Sequence, residues 1–321
     1  MMRVIQRMSS AKPSGKIGKL EQNIAAAVFV QCFSLKPKES VVVIVDKKKL
    51  QIARILFAAA TNYASDLKML VFDGMTENGQ EPCTEVAEAM IAADVAVLVT
   101  DFSLSHTKAR VKASDSGTRI ASLPGITLAM MKRTMNVNYA AIKKSSEELA
   151  QALTKANLVK ISAAGGTDLN ISLKGRAGEA DTGDLTQNGA FGNLPAGEAF
   201  IAPLEGTANG VLVVDGSLAD IQLDRPVTIT IKNGFAVKIT GGSAAKELEK
   251  AMNLLGKKAR VVAEFGIGTN PAAIVQPDVL EAEKAAGTIH IAFGYNADFG
   301  GLNEVEFHTD GVVLRPTFIL E

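Results

Sequence analysis

The chain has 321 residues, which is long for a single hydrophobic core and favours two domains. Hydrophobic residues make up 47% and charged residues 21%, a composition that excludes an intrinsically disordered chain. Lys plus Arg and Asp plus Glu both total 34, and no basic run carries interleaved aromatic residues, so no nucleic-acid partner is expected.

The sequence carries no targeting or membrane segment that we recognise. Its longest apolar run, residues 24–33, spans about ten residues, which is too few to cross a bilayer. The run also lies too deep in the chain, and lacks the small-residue cleavage site, for a signal peptide. Cys32 and Cys83 are far apart and do not form a disulfide scaffold. We therefore expect a cytoplasmic protein without a membrane partner.

Apolar strands and alanine-rich helices alternate in the first half of the chain. The predicted strands are 41–46, 67–73, 95–101 and 119–123, and the predicted helices are 50–63, 85–93, 103–116 and 145–156. This order predicts a Rossmann-like α/β domain over residues 1–157, with a doubly wound and mostly parallel sheet. No glycine-rich phosphate-binding motif follows any of these strands, so a nucleotide is not indicated.

From Leu158 onward, short alternating runs are separated by glycines. The runs are 159–163, 168–173, 210–214, 227–231, 235–239, 288–293, 304–310 and 312–314, with one clear helix at 243–255. Asn233-Gly234 between two runs is a strong hairpin signal. Residues 158–321 are thus predicted to form a β-rich α+β domain.

The chemistry-bearing residues concentrate in this second half. His308 and Asp310 alternate with apolar positions, so a strand would place both on one face, where they could bind a metal ion. The alternative is a solvated edge strand with a surface histidine. His290 and Glu264 each lie in an apolar strand, and a buried carboxylate needs a cation, a donor or a proton. A histidine in such a strand is also consistent with an ordinary core residue.

Glu198 is a third acid between apolar neighbours. Together with Glu264, Asp310 and the two histidines it makes up the ligand inventory of a two-metal hydrolytic site. His106, the remaining histidine of the chain, lies in a predicted helix and is expected to be exposed.

Several segments of the second half resemble a known family. Residues 193–200 (NLPAGEAF), 263–270 (AEFGIGTN), 287–294 (GTIHIAFG) and 308–310 (HTD) resemble, in the same order, segments of the aminopeptidase T and aminopeptidase S family of metallo-aminopeptidases. Residues 166–169 resemble the opening of the same domain, and the resemblance is looser in the first half.

This resemblance implies a metal-dependent aminopeptidase that removes N-terminal residues from small peptides. It implies metal ligands at Glu198, Glu264, His290, His308 and Asp310, two divalent ions, commonly zinc or cobalt, and a homodimer. A metal-bridged hydroxide would attack the scissile carbonyl. The family has a tyrosine at a position that falls near Ala297, and Tyr295, two residues earlier, is a possible substitute as a catalytic residue.

Two alternatives stay open. Ring-cleaving 2,5-dihydroxypyridine dioxygenases resemble this same fold family and bind one iron(II) through two histidines and an aspartate. Residues 103–110 (SLSHTKAR), with His106, resemble the wider superfamily. That resemblance implies an iron site at His290, His308 and Asp310, without either glutamate. The other alternative is a metal-binding relative without catalytic activity.

Overall fold

The structure is a computed structural model, and it describes residues 2–9, 18–219 and 221–321. The chain forms two compact units, Met1–Ala141 with Gly183–Ala196, and Ile142–Thr182 with Gly197–Glu321. Helices and several sheets occur together, so the coarse prediction of a mixed α/β protein is confirmed. The division into domains at residue 157 stays a prediction.

The described residues form strands and helices along the whole chain. The strands are β1 (Arg3–Ser9), β2 (Ser40–Asp46), β3 (Asp66–Asp73), β4 (Val95–Val99), β5 (Arg119–Ser122), β6 (Leu158–Ser162), β7 (Asp168–Ser172), β8 (Glu179–Asp181), β9 (Phe191–Asn193), β10 (Glu198–Ile201), β11 (Asn209–Val214), β12 (Val227–Lys232), β13 (Phe235–Thr240), β14 (Val262–Gly268), β15 (Thr288–Gly294), β16 (His308–Leu314) and β17 (Thr317–Leu320). The α-helices are α1 (Lys19–Ala25), α2 (Leu50–Ala60), α3 (Thr84–Ile91), α4 (Lys108–Asp115), α5 (Leu128–Thr134), α6 (Tyr139–Lys155), α7 (Ser243–Leu255) and α8 (Val279–Ala282). A π-helix, Ala26–Cys32, continues α1.

One six-stranded sheet lies in the first unit, in the order β1-β3-β2-β4-β5-β9. The pairs β3–β2, β2–β4, β4–β5 and β5–β9 are parallel, and β1 joins antiparallel. The side chains of Val41 to Val45 are buried, because helices cover both faces of a parallel sheet. The sequence analysis missed β1, β9, α1 and α5.

The second unit contains two antiparallel sheets. One has the order β16-β15-β14-β10-β8, and the other has the order β13-β12-β11-β7-β6-β17. Leu212 and Ile229 of one sheet share a core with Phe265 and Ile291 of the other, and Leu248 of α7 packs in the same core. All pairs in these two sheets are antiparallel, unlike the mostly parallel sheet of the first unit.

The loop before β16 differs from the prediction. Residues 304–310 were expected to form one strand, but the strand begins at His308. Asn296 and Asn303 explain the difference, because they close the 295–307 loop at its base. The Asn296 N–H donates to the Asn303 carbonyl at 3.1 Å, and the Asn303 N–H donates to Asn296 Oδ1 at 2.9 Å. Just before His308, the Phe307 carbonyl accepts from the Tyr295 N–H at 2.7 Å, but the Phe307 N–H turns back to the Val305 carbonyl at 2.8 Å, so the regular strand pairing begins only at His308.

Helix α7 depends on a carboxylate from outside the helix, which gives a testable prediction. Asp224 Oδ1 accepts a hydrogen bond from the Ala244 N–H at 3.1 Å, and hydrogen bonds from the first turn lower the pKa of Asp224 to about 2. Since this pKa lies below the ordinary 3.8, the carboxylate stabilises the fold fully above pH 3.8 and progressively less as the pH falls toward 2. Asp224→Asn should lower the melting temperature at pH 7 by a few degrees, and the difference should shrink as the pH is lowered through that window.

Melting curves of Asp224→Asn and the parent chain at several pH values test this expectation. Asp168→Asn, at an exposed aspartate of β7, is the matched control and should change little at any pH. A loss of melting temperature that is the same across the whole window would contradict the role of the charge.

Among the helices in the described part of the chain, none combines the length and the apolar character needed to cross a membrane.

Candidate metal centre

Four adjacent strands of the β16-β15-β14-β10-β8 sheet carry the predicted ligands. Glu198 begins β10, Glu264 lies in β14, His290 lies in β15, and His308 and Asp310 lie in β16. Gly266 pairs with His290, Ala292 pairs with Asp310, and Gly294 pairs with His308. The sheet therefore brings together residues that are more than a hundred positions apart in the sequence.

The side chains of these residues meet around the Glu264 carboxylate. His290 Nε2 lies 3.0 Å from Glu264 Oε1, and His308 Nε2 lies 3.4 Å from Glu264 Oε2. His290 Nε2 is also 3.5 Å from Glu198 Oε2, and His308 Nε2 is 3.6 Å from Asp310 Oδ1. Two groups could each hold a metal ion, one formed by Glu198, Glu264 and His290 and the other by Glu264, His308 and Asp310.

A backbone carbonyl fixes the orientation of the His308 ring. His308 Nδ1 lies 2.8 Å from the Tyr295 carbonyl oxygen, so Nδ1 carries a proton and donates a hydrogen bond to that oxygen. Nε2 then faces Glu264 and Asp310. The Tyr295 hydroxyl donates to Asp298 Oδ1 at 2.6 Å, and this bond raises the pKa of Tyr295 to about 12. Tyr295 thus contacts the centre through its carbonyl, and a catalytic role of its hydroxyl stays a prediction.

A glycine makes room for the His290 ring. Gly266 lies directly opposite His290 across the β14–β15 pair. A Cβ atom at Gly266 would lie 1.9 Å from His290 Nε2 and 2.1 Å from Cε1. The ring therefore occupies the space that any other residue at position 266 would fill.

The centre carries more negative than positive charge, and this excess determines the protonation of its histidines. Burial lowers the pKa of His290, but the Glu264 hydrogen bond and the charges of Glu198, Glu264 and Asp310 outweigh burial and raise the pKa to about 10. For His308, burial is likewise outweighed by Asp310 and Glu264, and the pKa also rises to about 10. Burial raises the pKa of Asp310, but the two histidines and Lys284 lower it to about 2.

A buried lysine adjoins the centre, and the sequence analysis did not identify it. The Lys284 side chain is 1% exposed, and its Nζ lies 3.1 Å from Glu198 Oε1 and 3.9 Å from Asp181 Oδ2. Nζ also contacts Glu283 Oε1. Burial alone would lower the pKa of Lys284, but the charges of Glu198 and Glu283 raise it well above its ordinary value. Lys284 is therefore an ammonium ion.

Two further residues from the sequence analysis lie elsewhere. His106 belongs to the first unit and is exposed. It lies in a turn before α4, whereas the sequence predicted a helix over 103–116. The helix begins later because Thr107 caps α4, its hydroxyl accepting from the Arg110 N–H at 3.2 Å. Ala297, where the peptidase tyrosine was expected, lies in a 3-10 turn with Asp298 and Phe299.

The comparison with protein families decides between the two resemblances. Residues 22–320 match the family described as NicX, 2,5-dihydroxypyridine 5,6-dioxygenase. The chain belongs to this family. A 2,5-dihydroxypyridine 5,6-dioxygenase from Pseudomonas putida KT2440 is 26% identical to this NicX-family chain in an alignment of 251 residues that covers 72% of the chain and 70% of the relative.

Solved structures show the same overall fold. The 2,5-dihydroxypyridine dioxygenase from Pseudomonas putida KT2440 superposes on the NicX-family chain with a TM-score of 0.77 and 19% identity, over 95% of this chain and 94% of the other. AmpT from Thermus thermophilus superposes with a TM-score of 0.68 and 17% identity, over 91% of both chains. At these identities the likeness concerns the fold alone.

The family match corrects three predictions. Membership of the aminopeptidase T and aminopeptidase S family is wrong, aminopeptidase activity is wrong as the function, and the description as a hydrolase or metalloprotease is wrong. The physical reason is that the segments around Glu198, Glu264 and His290 position carboxylates and imidazoles in a shared fold, and those ligand types serve more than one reaction. The broader prediction of an enzyme agrees with the family.

Proposed function

We propose that the protein is an iron(II)-dependent ring-cleaving dioxygenase that acts on a 2,5-dihydroxypyridine-type aromatic compound. It would add both atoms of O2 across the bond between C5 and C6 and open the ring. The observation that carries this proposal is the NicX family match over residues 22–320. In this chain Glu264 lies between His290 on one side and His308 with Asp310 on the other.

The donor set fits one iron(II) ion. Two imidazoles and one carboxylate, with open positions left, form the ligand set of non-haem iron(II) oxygenases. We assign His290, His308 and Asp310 as this set. His308 and Asp310 lie two positions apart in β16 and therefore on the same face of the strand. Iron(II) in such a set supplies the redox chemistry through which O2 reacts with an aromatic ring.

The charge of the centre also fits a divalent cation. Without a metal ion, His290 and His308 are both protonated beside the Glu264 and Asp310 carboxylates, as their raised pKa values indicate. One divalent cation carries the same charge as these two protons, and neutral imidazoles bind it through Nε2. Glu264 then lies beside the bound ion as an additional negative charge.

Aromatic side chains near His308 favour a planar substrate. The Phe299 ring lies edge to face with the His308 ring at a centroid distance of 6.2 Å, and with the Phe200 ring at 5.5 Å. Both phenylalanines are only partly buried. A heteroaromatic ring that approaches the metal centre from this side can therefore pack against Phe299.

A substitution at Phe299 tests this packing. Phe299→Ala should raise KM for the aromatic substrate by roughly threefold to tenfold, as expected for the loss of one aromatic contact, and should leave the iron content near one per chain. Leu302→Ala, at an 82% exposed residue in the same loop, is the control and should leave KM unchanged. An unchanged KM in Phe299→Ala would remove Phe299 from the substrate site.

The activity itself is tested on protein purified and loaded with iron(II) without oxygen. Mixed with 2,5-dihydroxypyridine, it should consume one O2 per substrate, and oxygen-18 gas should label the ring-opened product with both atoms. A leucine peptide serves as the comparison substrate and should stay intact. Iron-loaded protein that consumes no O2 with this or related dihydroxylated pyridines would overturn the proposal.

The predictions of a homodimer, of a cytoplasmic location and of no nucleic-acid partner are kept as proposals. The proposed aromatic substrate replaces the predicted small peptide. One iron(II) replaces the predicted pair of zinc or cobalt ions.

A further inference from the structure

We infer that Lys284 is a built-in cation that takes the place of a second metal ion beside the centre and so limits the chain to one ion. The inference rests on the metal site proposed above, but not on ring cleavage. It begins from the position of the Lys284 ammonium among three carboxyl groups of the second unit.

The three carboxyl groups surround Lys284 Nζ from different elements. Glu198 begins β10, Asp181 ends β8, and Glu283 precedes Lys284 just after α8. Nζ lies 3.1 Å from Glu198 Oε1 and 3.9 Å from Asp181 Oδ2, and it contacts Glu283 Oε1. An arrangement of carboxylate oxygens around one buried cation is also what a divalent metal ion requires.

The backbone holds the lysine in this position. The Asn270 N–H donates to the Lys284 carbonyl at 2.9 Å, and the Thr269 N–H donates to the Gly197 carbonyl at 2.9 Å. Gly197 approaches Asn270 closely, since a Cβ at Gly197 would lie 2.8 Å from Asn270 Cβ. These contacts tie Glu198 and Lys284 to the same turn, so the ion pair is part of the folded structure and not a chance surface contact.

Lys284 occupies one carboxylate oxygen of Glu198 and leaves the other facing His290. Glu198 Oε1 accepts from Lys284, while Oε2 faces His290 Nε2 at 3.5 Å. Within the described residues, Glu198 Oε2 has no hydrogen-bond partner. If the ammonium is removed, both oxygens of Glu198 become available to a cation together with Asp181. Burial raises the pKa of Glu283 to about 8, so Glu283 would join them on losing its proton. An ammonium and a metal ion cannot occupy that position together, because their charges repel at contact distance.

The stoichiometry of metal binding tests this inference. Iron(II) is titrated without oxygen into the metal-free full chain, and bound ions are counted by elemental analysis after gel filtration. The parent chain should bind one ion, and Lys284→Met should bind two. Lys284→Arg keeps the charge and should bind one ion, and Lys250→Met, at an exposed lysine of α7, should also bind one.

A second variant covers the case in which Lys284→Met does not fold. Because Lys284 engages Glu198, Glu198→Gln should change the dissociation constant of the single ion less than about threefold, whereas loss of a direct ligand lowers affinity by at least about tenfold.

Two ions bound to the parent chain would overturn the role of Lys284 and leave the proposed function standing. A folded Lys284→Met protein that still binds one ion would have the same meaning, and so would a tenfold loss of ion affinity in Glu198→Gln. No ion bound to the parent chain would overturn this inference and the proposed function together.

Discussion

Gly266→Ala is expected to weaken iron binding at least tenfold without unfolding the chain. The added methyl group would lie 1.9 Å from His290 Nε2, a separation that no side-chain contact allows. The His290 side chain is 1% exposed and cannot turn into solvent, so its ring must tilt away from Glu264 or the β14–β15 pair must separate. Overpacking of this kind costs about 1–3 kcal/mol and misplaces the ligand.

A matched glycine and a melting curve separate the effect on the ion from general destabilisation. Gly165→Ala adds a methyl group whose nearest neighbours are the Asp215 and Val213 side chains, at 3.1 and 3.7 Å, and should leave iron affinity unchanged. Iron content and melting temperature are measured for both variants. A Gly266→Ala protein that binds one iron as tightly as the parent would show that His290 is not a ligand.

Asp310→Asn is expected to reduce bound iron from one per chain to nearly none, whereas Glu264→Gln is expected to retain it. Asp310 and His308 share a strand face, and Asp310 lies 3.6 Å from His308 Nε2, where a carboxylate completes a site with two imidazoles. Asparagine keeps the shape of the side chain but loses the charge. The O2-dependent reaction should then be lost with the iron.

Glu264 is the informative comparison, because its carboxylate contacts both histidines. Iron content, O2 consumption and the melting temperature of Asp310→Asn, Glu264→Gln and the exposed control Glu247→Gln decide the assignment. The reverse pattern, with iron lost in Glu264→Gln and kept in Asp310→Asn, would make Glu264 the carboxylate ligand in place of Asp310.

The sequence predicted the local features of the centre well where periodicity determines them. The i, i+2 spacing of His308 and Asp310 predicted a shared strand face, and their side chains lie 3.6 Å apart. The continuous apolar run before Asp46 predicted a buried parallel strand, and β2 pairs in parallel with both neighbours. Both patterns depend on a few neighbouring residues, so the sequence carries them directly.

Features that depend on distant contacts were not predictable. Lys284 follows Glu281 and Glu283 in a charged segment that is typical of an exposed surface, and its burial results from β8 and β10, which lie far away in the chain. The role of Gly266 depends in the same way on the register between β14 and β15. The reaction type was missed for a chemical reason, because the same histidines and carboxylates can serve hydrolysis or oxygen chemistry.

The 295–307 loop has a consequence for how the protein can be altered. Its base is closed by Asn296 and Asn303, and one end supplies the carbonyl that orients His308. Asp298 and Gly300, midway between the two asparagines, are exposed. Insertions between the two asparagines therefore leave the carbonyl that orients His308 in place, so this short segment can change in length without moving the histidine.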